Sequence, residues 1–230
     1  MEVPSIAIIG DFDKNMYTHV ALNQCIQHCE PHIAPTNFKW LATNELSTSD
    51  RNLYQGFLIA PGSPYRDDSA VYDLIQWTRE NNGLMFGMCG GFQYMIVEYA
   101  RNVLELVDGD HEESNPGAAD LIVSKMSCSL KGLKEEITIT DTDSWLFSVL
   151  KTKHFIGEYN CSYGVNSKYV SILDKHPFVF TAFSNDGQPR AVELKTSLFF
   201  KGTLFQPTLL SSFEKPNPLI LDFIRQCVTR

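Results

Sequence analysis

The stretch that most constrains this chain is Leu84-Met85-Phe86-Gly87-Met88-Cys89-Gly90-Gly91-Phe92-Gln93, an apolar run that stops at Gly-x-Cys-x-Gly and passes into a helical pattern. A thiol presented at a sharp strand-to-helix turn needs a small residue two places before it and two places after it. The turn is tight, and the nucleophile itself sits in strained backbone geometry. The helix that follows aims free N–H groups and a partial positive charge at the sulfur, which lowers a thiol pKa and suits developing anions. Taken alone, the same residues also fit a buried core cysteine beside flexible glycines.

The chain before the elbow alternates strand and helix. Ser5–Gly10 is apolar throughout and closes in Gly10-Asp11, as a buried parallel strand does. A helix is expected over Met16–Cys29, strands over Phe38–Leu41 and Gly56–Ala60, and a helix capped by Asp67 or Asp68 and running to Asn81, with Val71, Leu74, Ile75 and Thr78 on one face. Leu84–Met88 is the next strand, and the elbow launches a helix over Phe92–Leu104. This rhythm predicts a parallel sheet with right-handed crossovers and a binding site at the carboxyl ends of its strands. Asp108–Gly117 reads as a polar loop. Short strands are expected at Leu121–Ser124, Glu136–Thr140, Tyr169–Leu173, Phe178–Phe183, Ala191–Leu194 and Leu198–Phe205, with Asn185-Asp186-Gly187 as a hairpin turn. A last helix over Pro218–Val228 places Leu219, Phe223 and Cys227 on one face. The fold class expected is a flavodoxin-like three-layer α/β/α domain with a small antiparallel sheet.

Composition narrows the function. At 230 residues, 43% hydrophobic and 20% charged, the chain can bury one sizeable core, and residues 1–230 read as a single domain. A formal net charge of -8 with no basic run excludes an electrostatic nucleic-acid footprint. The six cysteines (25, 29, 89, 128, 161, 227) follow no zinc spacing, and no pattern calls for a metal or a cofactor. Met1-Glu2-Val3-Pro4 has no basic leader and no apolar stretch reaches membrane-spanning length, so the expectation is a reduced, cytoplasmic protein without membrane contact. Asn160-Cys161-Ser162 fits a glycosylation sequon, which is read as chance in that setting.

Two loops meet at the elbow. Gly62-Ser63 ends the third strand and Cys89-Gly90 ends the next, so the backbone N–H groups of Ser63 and Gly90 are candidates for an oxyanion hole. At this point the residues resemble the class I glutamine amidotransferase family, and within it the glutaminase domains of CTP synthases. That family's elbow reads Gly-Ile-Cys-Leu-Gly-Met-Gln, followed by Glu-Phe-Ala-Arg-Asn-Val. Here Gly87-Met88-Cys89-Gly90-Gly91-Phe92-Gln93 is followed by Glu98-Tyr99-Ala100-Arg101-Asn102-Val103. Pro61-Gly62-Ser63 stands for Pro-Gly-Gly, Glu112-Glu113 for Thr-Glu, and Tyr163-Gly164-Val165-Asn166 for Tyr-Glu-Val-Asn. Phe205-Gln206-Pro207-Thr208 with Lys215-Pro216-Asn217-Pro218-Leu219 resembles Phe-His-Pro-Glu with its Lys-Pro-x-Pro-Leu. The resemblance covers nearly the whole chain and none of the synthetase half.

The resemblance implies Cys89 as nucleophile and a substrate pocket that includes Gly62, Gln93, Glu113, Ser162 and Tyr163, with Glu113 facing an ammonium group. It also marks three departures. Gln206 stands where the family has its proton-shuttling histidine, Thr208 where it has the orienting carboxylate, and Ser162 where an arginine grips the glutamine carboxylate. A carboxamide has no useful basicity near neutral pH, so the standard relay is broken. His154, His176, Glu158, Tyr159 and Cys161 are candidate recruits for a rebuilt relay, with Glu158 and Tyr159 nearest by topology. Two readings follow: a Cys89-dependent amidohydrolase acting on an amide other than free glutamine, or an inactive pseudo-glutaminase that binds an amino-acid-like ligand or a protein. The partners expected are a small-molecule amide, and a second copy of the chain or a separate synthetase-type protein.

Overall fold

A computed structural model describes residues 3–229, apart from the side chain of residue 50. Met1 and Glu2, on which the reading of the N-terminus partly rests, and Arg230 lie outside the described residues. The chain opens with β1 (Ser5–Ile9), α1 (Tyr17–Cys29), β2 (Asn37–Leu41), β3 (Gly56–Ile59), α2 (Asp68–Glu80), β4 (Leu84–Met88) and α3 (Gly90–Asn102). It continues through β5 (Gly109–His111), β6 (Asp120–Lys125), β7 (Lys134–Ile139), α4 (Trp145–Leu150), β8 (His154–Glu158), β9 (Tyr163–Val165) and α5 (Ser167–Leu173). It closes with β10 (Phe178–Ser184), β11 (Pro189–Leu194), β12 (Phe199–Thr203) and α6 (Pro218–Val228).

The central sheet runs β2-β1-β3-β4-β12-β11-β10-β7-β8. Its first five strands are parallel, and each strand from β11 onward pairs antiparallel to its neighbour. Alternation along the parallel strands sorts the core into two layers. Ile6, Ile8, Leu58 and Phe86 face α1 and α6 through Leu22, Ile26, Ile220 and Phe223. Ala7, Ile9, Ile59 and Met85 face α2 and α3 through Val71, Leu74, Ile75 and Met95. Burial of each large side chain of this kind contributes about 1.5–3 kcal/mol, so the helices are held by their apolar faces rather than by propensity. Asp67 starts α2 by accepting the Ala70 N–H at 2.9 Å, and the buried face is the expected Val71, Leu74, Ile75 and Thr78.

Several expectations change. The antiparallel strands β7, β8, β10 and β11 extend the central sheet instead of forming a separate small sheet. The small second sheet, β5-β6-β9, is antiparallel only across β6–β9 and parallel across β5–β6. Residues 169–173, expected as a strand, belong to α5. Asn166 accepts the Lys168 N–H there, and the buried residues are Tyr169 and Leu173, four apart, which is a helical spacing that outweighs the β-branched content of the run. The polar loop after α3 contains β5, and α4 lies in a stretch where no element was expected, started by Ser144 accepting the Phe147 N–H at 3.2 Å. No helix among the described residues is long and apolar enough to cross a membrane.

Candidate active site

Cys89 sits between the last residue of β4 and the first of α3 with φ 53° and ψ -106°, a left-handed backbone that a non-glycine residue adopts only under constraint. The constraint is visible on both sides. The Cys89 N–H donates to Thr203 O at 2.9 Å, and its carbonyl accepts the Gln93 N–H at 3.1 Å. Gly91 is required by close approach, since a Cβ there would lie 2.8 Å from Ile59 Cβ and 2.9 Å from Ile59 O. Gly90 is pressed against the neighbouring loop in the same way, its missing Cβ standing 2.9 Å from Ser63 Cβ and 3.1 Å from Ser63 N. The loop after β3 and the start of α3 are therefore packed together, with Ser63 and Gly90 side by side.

Cys89 opens onto a cavity of ≈160 Å³ that is also lined by Gly62, Ser63, Gln93, Glu113, Ser162 and Tyr163. The expected substrate-side residues thus share one pocket, and Gly90, Gln206 and Thr208 are not among the residues that line it. Met16, Thr18, Asn160, Cys161 and Lys131 complete much of the wall. Lys131 was not anticipated from the sequence. Its backbone N–H donates to Ser129 Oγ, which shares a 2.9 Å hydrogen bond with Ser162 Oγ. Lys131 thus lines the same wall as Ser162, the position where the resemblance leads one to expect an arginine.

Two buried histidines, also missed, hold the pocket in shape. His19 Nδ1 accepts the Asp13 N–H at 3.0 Å, which leaves Nε2–H to donate to Pro61 O at 2.7 Å, so α1 fixes the Gly62-Ser63 loop. His111 Nδ1 accepts the Glu113 N–H at 3.1 Å, and its Nε2–H donates to Gln93 Oε1 at 2.9 Å. Burial depresses the pKa of both rings, His111 to about 4, so each is neutral and each tautomer is set by its partners. Gln93 in turn donates from Nε2 to Tyr163 O at 2.7 Å. Its carboxamide is thereby occupied in tying α3 to β5 and β9. Glu113 accepts from Ser63 Oγ at 3.3 Å, and burial raises its pKa. The segment matching Glu-Phe-Ala-Arg-Asn-Val serves the scaffold: Glu98 is fully buried and holds Arg79 at 2.7 Å, and Arg101 pairs with Asp110 at 2.6 Å to clamp β5.

The relay positions carry no titratable base. Gln206 and Thr208 are buried, and Gln206 Oε1, Gln206 Nε2 and Thr208 Oγ1 make no hydrogen bond of regular geometry among the described residues. The Gln206 carboxamide still lies close enough to favour the Cys89 thiolate. Of the recruits considered, Cys161 is the one that lines the same cavity as Cys89. Tyr159 instead donates to Glu135 Oε2, Glu158 pairs with Lys134 at 3.3 Å, His154 is exposed against Thr138, and His176 is exposed. The Cys161 contact is the largest influence lowering the Cys89 pKa. The Gly90 N–H and Gln206 act in the same direction, while burial and Glu113 oppose.

A family model for glutamine amidotransferase class-I matches residues 11–225. The chain belongs to the class I glutamine amidotransferase family. A CTP synthase of Sulfolobus acidocaldarius is 28% identical over 234 residues, covering 95% of this chain and 44% of that protein. A CTP synthase of Mycoplasmopsis pulmonis is 31% identical over 195 residues, covering 79% of this chain and 36% of that protein. The chain thus spans less than half the length of these curated relatives. Among solved structures, the glutaminase domain of Trypanosoma brucei CTPS with bound acivicin matches with a TM-score of 0.89 at 22% identity, over 99% of this chain and 95% of that one. A glutamine amidotransferase of Thermotoga maritima matches with a TM-score of 0.62 at 10% identity, over 100% and 98%. At these identities the structural matches speak for the fold, which is that of class I glutamine amidotransferases.

Proposed function

We propose that this amidotransferase-family chain is a cysteine-dependent acyl-transfer hydrolase whose substrate is an amino-acid-like amide other than free glutamine. The observation that supports this reading is a split in the machinery. The Cys89 elbow stands intact beside Ser63 and Gly90, while residues 206 and 208 hold no base. In this reading the Cys89 thiolate attacks the amide carbon, and the Ser63 and Gly90 N–H groups receive the oxyanion. Collapse of that intermediate forms the thioester and expels an amine. Ammonia leaves only once it has gained a proton, and neither Gln206 nor the high-pKa Cys161 thiol supplies one. Losing the base of such a triad costs about 10⁴–10⁶ in turnover. The substrate is therefore an amide whose leaving nitrogen is weakly basic, with an ammonium group met by Glu113 and an anionic group met by Lys131.

The test compares glutamine with a γ-glutamyl nitroanilide on wild type, Cys89→Ala and the double variant Gln206→His with Thr208→Glu. The expected result is Cys89-dependent release of nitroaniline, little ammonia from glutamine in the wild type, and a modest rise in ammonia release in the double variant. Robust Cys89-dependent ammonia release by the wild type would refute the reading. Saturable glutamine binding with no acyl-enzyme from either donor would assign the chain to the inactive, ligand-binding alternative.

A further inference from the structure

Cys89 is one of two thiols on its cavity. Cys161 lines the same space from residues 159–162, which join β8 to β9. That segment is pinned along its length. The Tyr159 N–H donates to Leu133 O at 3.1 Å, the Leu130 N–H to Cys161 O at 2.9 Å, and the Met126 N–H to Ser162 O at 2.9 Å. The one carbonyl of the segment that turns to the nucleophile is that of Asn160, 3.9 Å from Cys89 Sγ. Cys161 is thus held one residue from a direct contact of Cys89, on the wall of the cavity that both residues line. Each residue is 5% exposed, and both meet the cavity.

Thiolate reactions differ in what the leaving group needs. Acyl transfer from an ordinary amide needs a proton delivered to nitrogen, which this site lacks. Attack on a peroxide needs only the thiolate, a weak O–O bond and room for a small molecule. We propose that Cys89 and Cys161 form a peroxide-reactive dithiol that closes to an intramolecular disulfide. The Cys89 thiolate attacks one oxygen of a hydroperoxide, the S–O bond forms as the O–O bond breaks, and the departing hydroxide takes up the proton that Cys89 released. The Cys161 sulfur then attacks the sulfenic sulfur, the S–S bond forms, and the hydroxyl leaves with the Cys161 proton as water. Two thiols are oxidised, one hydrogen peroxide is reduced, and two waters are produced. An external dithiol reverses the bond. Closure consumes the nucleophile, so any acyl transfer at Cys89 stops until reduction.

Cys25 and Cys29 supply an internal comparison. They too form a thiol pair, one turn apart on α1, but both are fully buried in the helix–sheet layer. Cys128 is exposed and supplies the competing partner.

The experiment treats the reduced full chain with stoichiometric hydrogen peroxide in the presence and absence of dimedone, then maps peptides without reduction. The expected wild-type product is a linked Cys89–Cys161 peptide pair lighter by two hydrogens and restored by dithiothreitol, with Cys25 and Cys29 still reduced. Cys161→Ser and Cys161→Ala should lose the linked pair and accumulate the dimedone adduct of Cys89. A wild type in which Cys89 goes to sulfinic or sulfonic acid, stays unmodified, or links to Cys128 would overturn the proposal without using either variant. The oxidation requires no acyl donor, so its failure and the failure of the hydrolase reading are separately visible.

Discussion

His111 should make this protein acid-sensitive through its pocket. The ring is fully buried between the Tyr94 and Tyr163 rings, and both nitrogens are spent, Nδ1 on the Glu113 N–H and Nε2 on Gln93 Oε1. A second ring proton would have to displace the Glu113 donor inside the core. Burial accordingly lowers the pKa from 6.5 to about 4, against the smaller opposing pull of Asp68 and Asp110. The native state keeps the ring neutral while the unfolded chain takes up a proton below its ordinary value, so stability is full above about pH 6.5 and is lost as pH falls toward about 4. At about pH 5 the two pKa values give a loss of about 2 kcal/mol relative to neutral pH. His19 is depressed by burial as well and contributes in the same direction. Subtraction isolates His111. In His111→Gln the side-chain amide keeps a donor toward Gln93 but leaves the Glu113 N–H without its acceptor, which costs about 1–3 kcal/mol at neutral pH. Urea unfolding of both proteins at about pH 7 and about pH 5 should show the wild type losing about 2 kcal/mol more than the variant over that interval. Parallel losses would mean that the ring is not held neutral, and the account of His111 as the clamp on Gln93 would be wrong.

Two other perturbations follow from the packing. Gly91→Ala places a Cβ 2.9 Å from the backbone oxygen of Ile59, which cannot yield as a side chain can; it should destabilise the fold by about 1–3 kcal/mol in chemical denaturation and slow alkylation of Cys89 by moving the elbow. Arg79→Ala removes the partner of the fully buried Glu98, contacted at 2.7 and 3.0 Å, and should cost about 3–5 kcal/mol by the same measurement. A cost below about 1 kcal/mol would show that Glu98 is relieved by another group.

The parallel half of the fold is legible because its strands are buried on both faces and its helices carry one-sided apolar stripes, and β4 and α6 fall on the residues expected. The second half is harder for physical reasons. β8 is an edge strand with one buried residue, and its polar alternation gives little to read. In α5 the residues favour strand while a cap and a four-residue spacing favour helix, and packing of Tyr169 and Leu173 decides. The pocket shows the same division. Residues announced by a local motif, Gly62, Ser63, Cys89, Gln93 and Glu113, meet where the strand ends bring them. Lys131, His19 and His111 carry no motif, since what makes them matter is a neighbour far along the chain. His19 is 42 residues from Pro61 and His111 is 18 from Gln93.

In the proposed reading the site keeps the parts of an acyl-transfer centre that hold geometry and lacks the part that moves protons. A strained cysteine at φ 53° persists only where its surroundings over-determine it, and here Gly90, Gly91, the Thr203 carbonyl and the His19-anchored loop all do so. At the positions where the relay was expected, buried polar atoms of Gln206 and Thr208 make no hydrogen bond among the described residues. The Gln206 carboxamide is among the influences that favour the Cys89 thiolate, but it offers no basic nitrogen to carry the proton away. In that reading what remains is a sulfur nucleophile whose reach is set by the leaving group it meets. That single property joins the selective hydrolase and the peroxide-reactive dithiol, because a weakly basic amine and a peroxide oxygen both depart without the base that is missing.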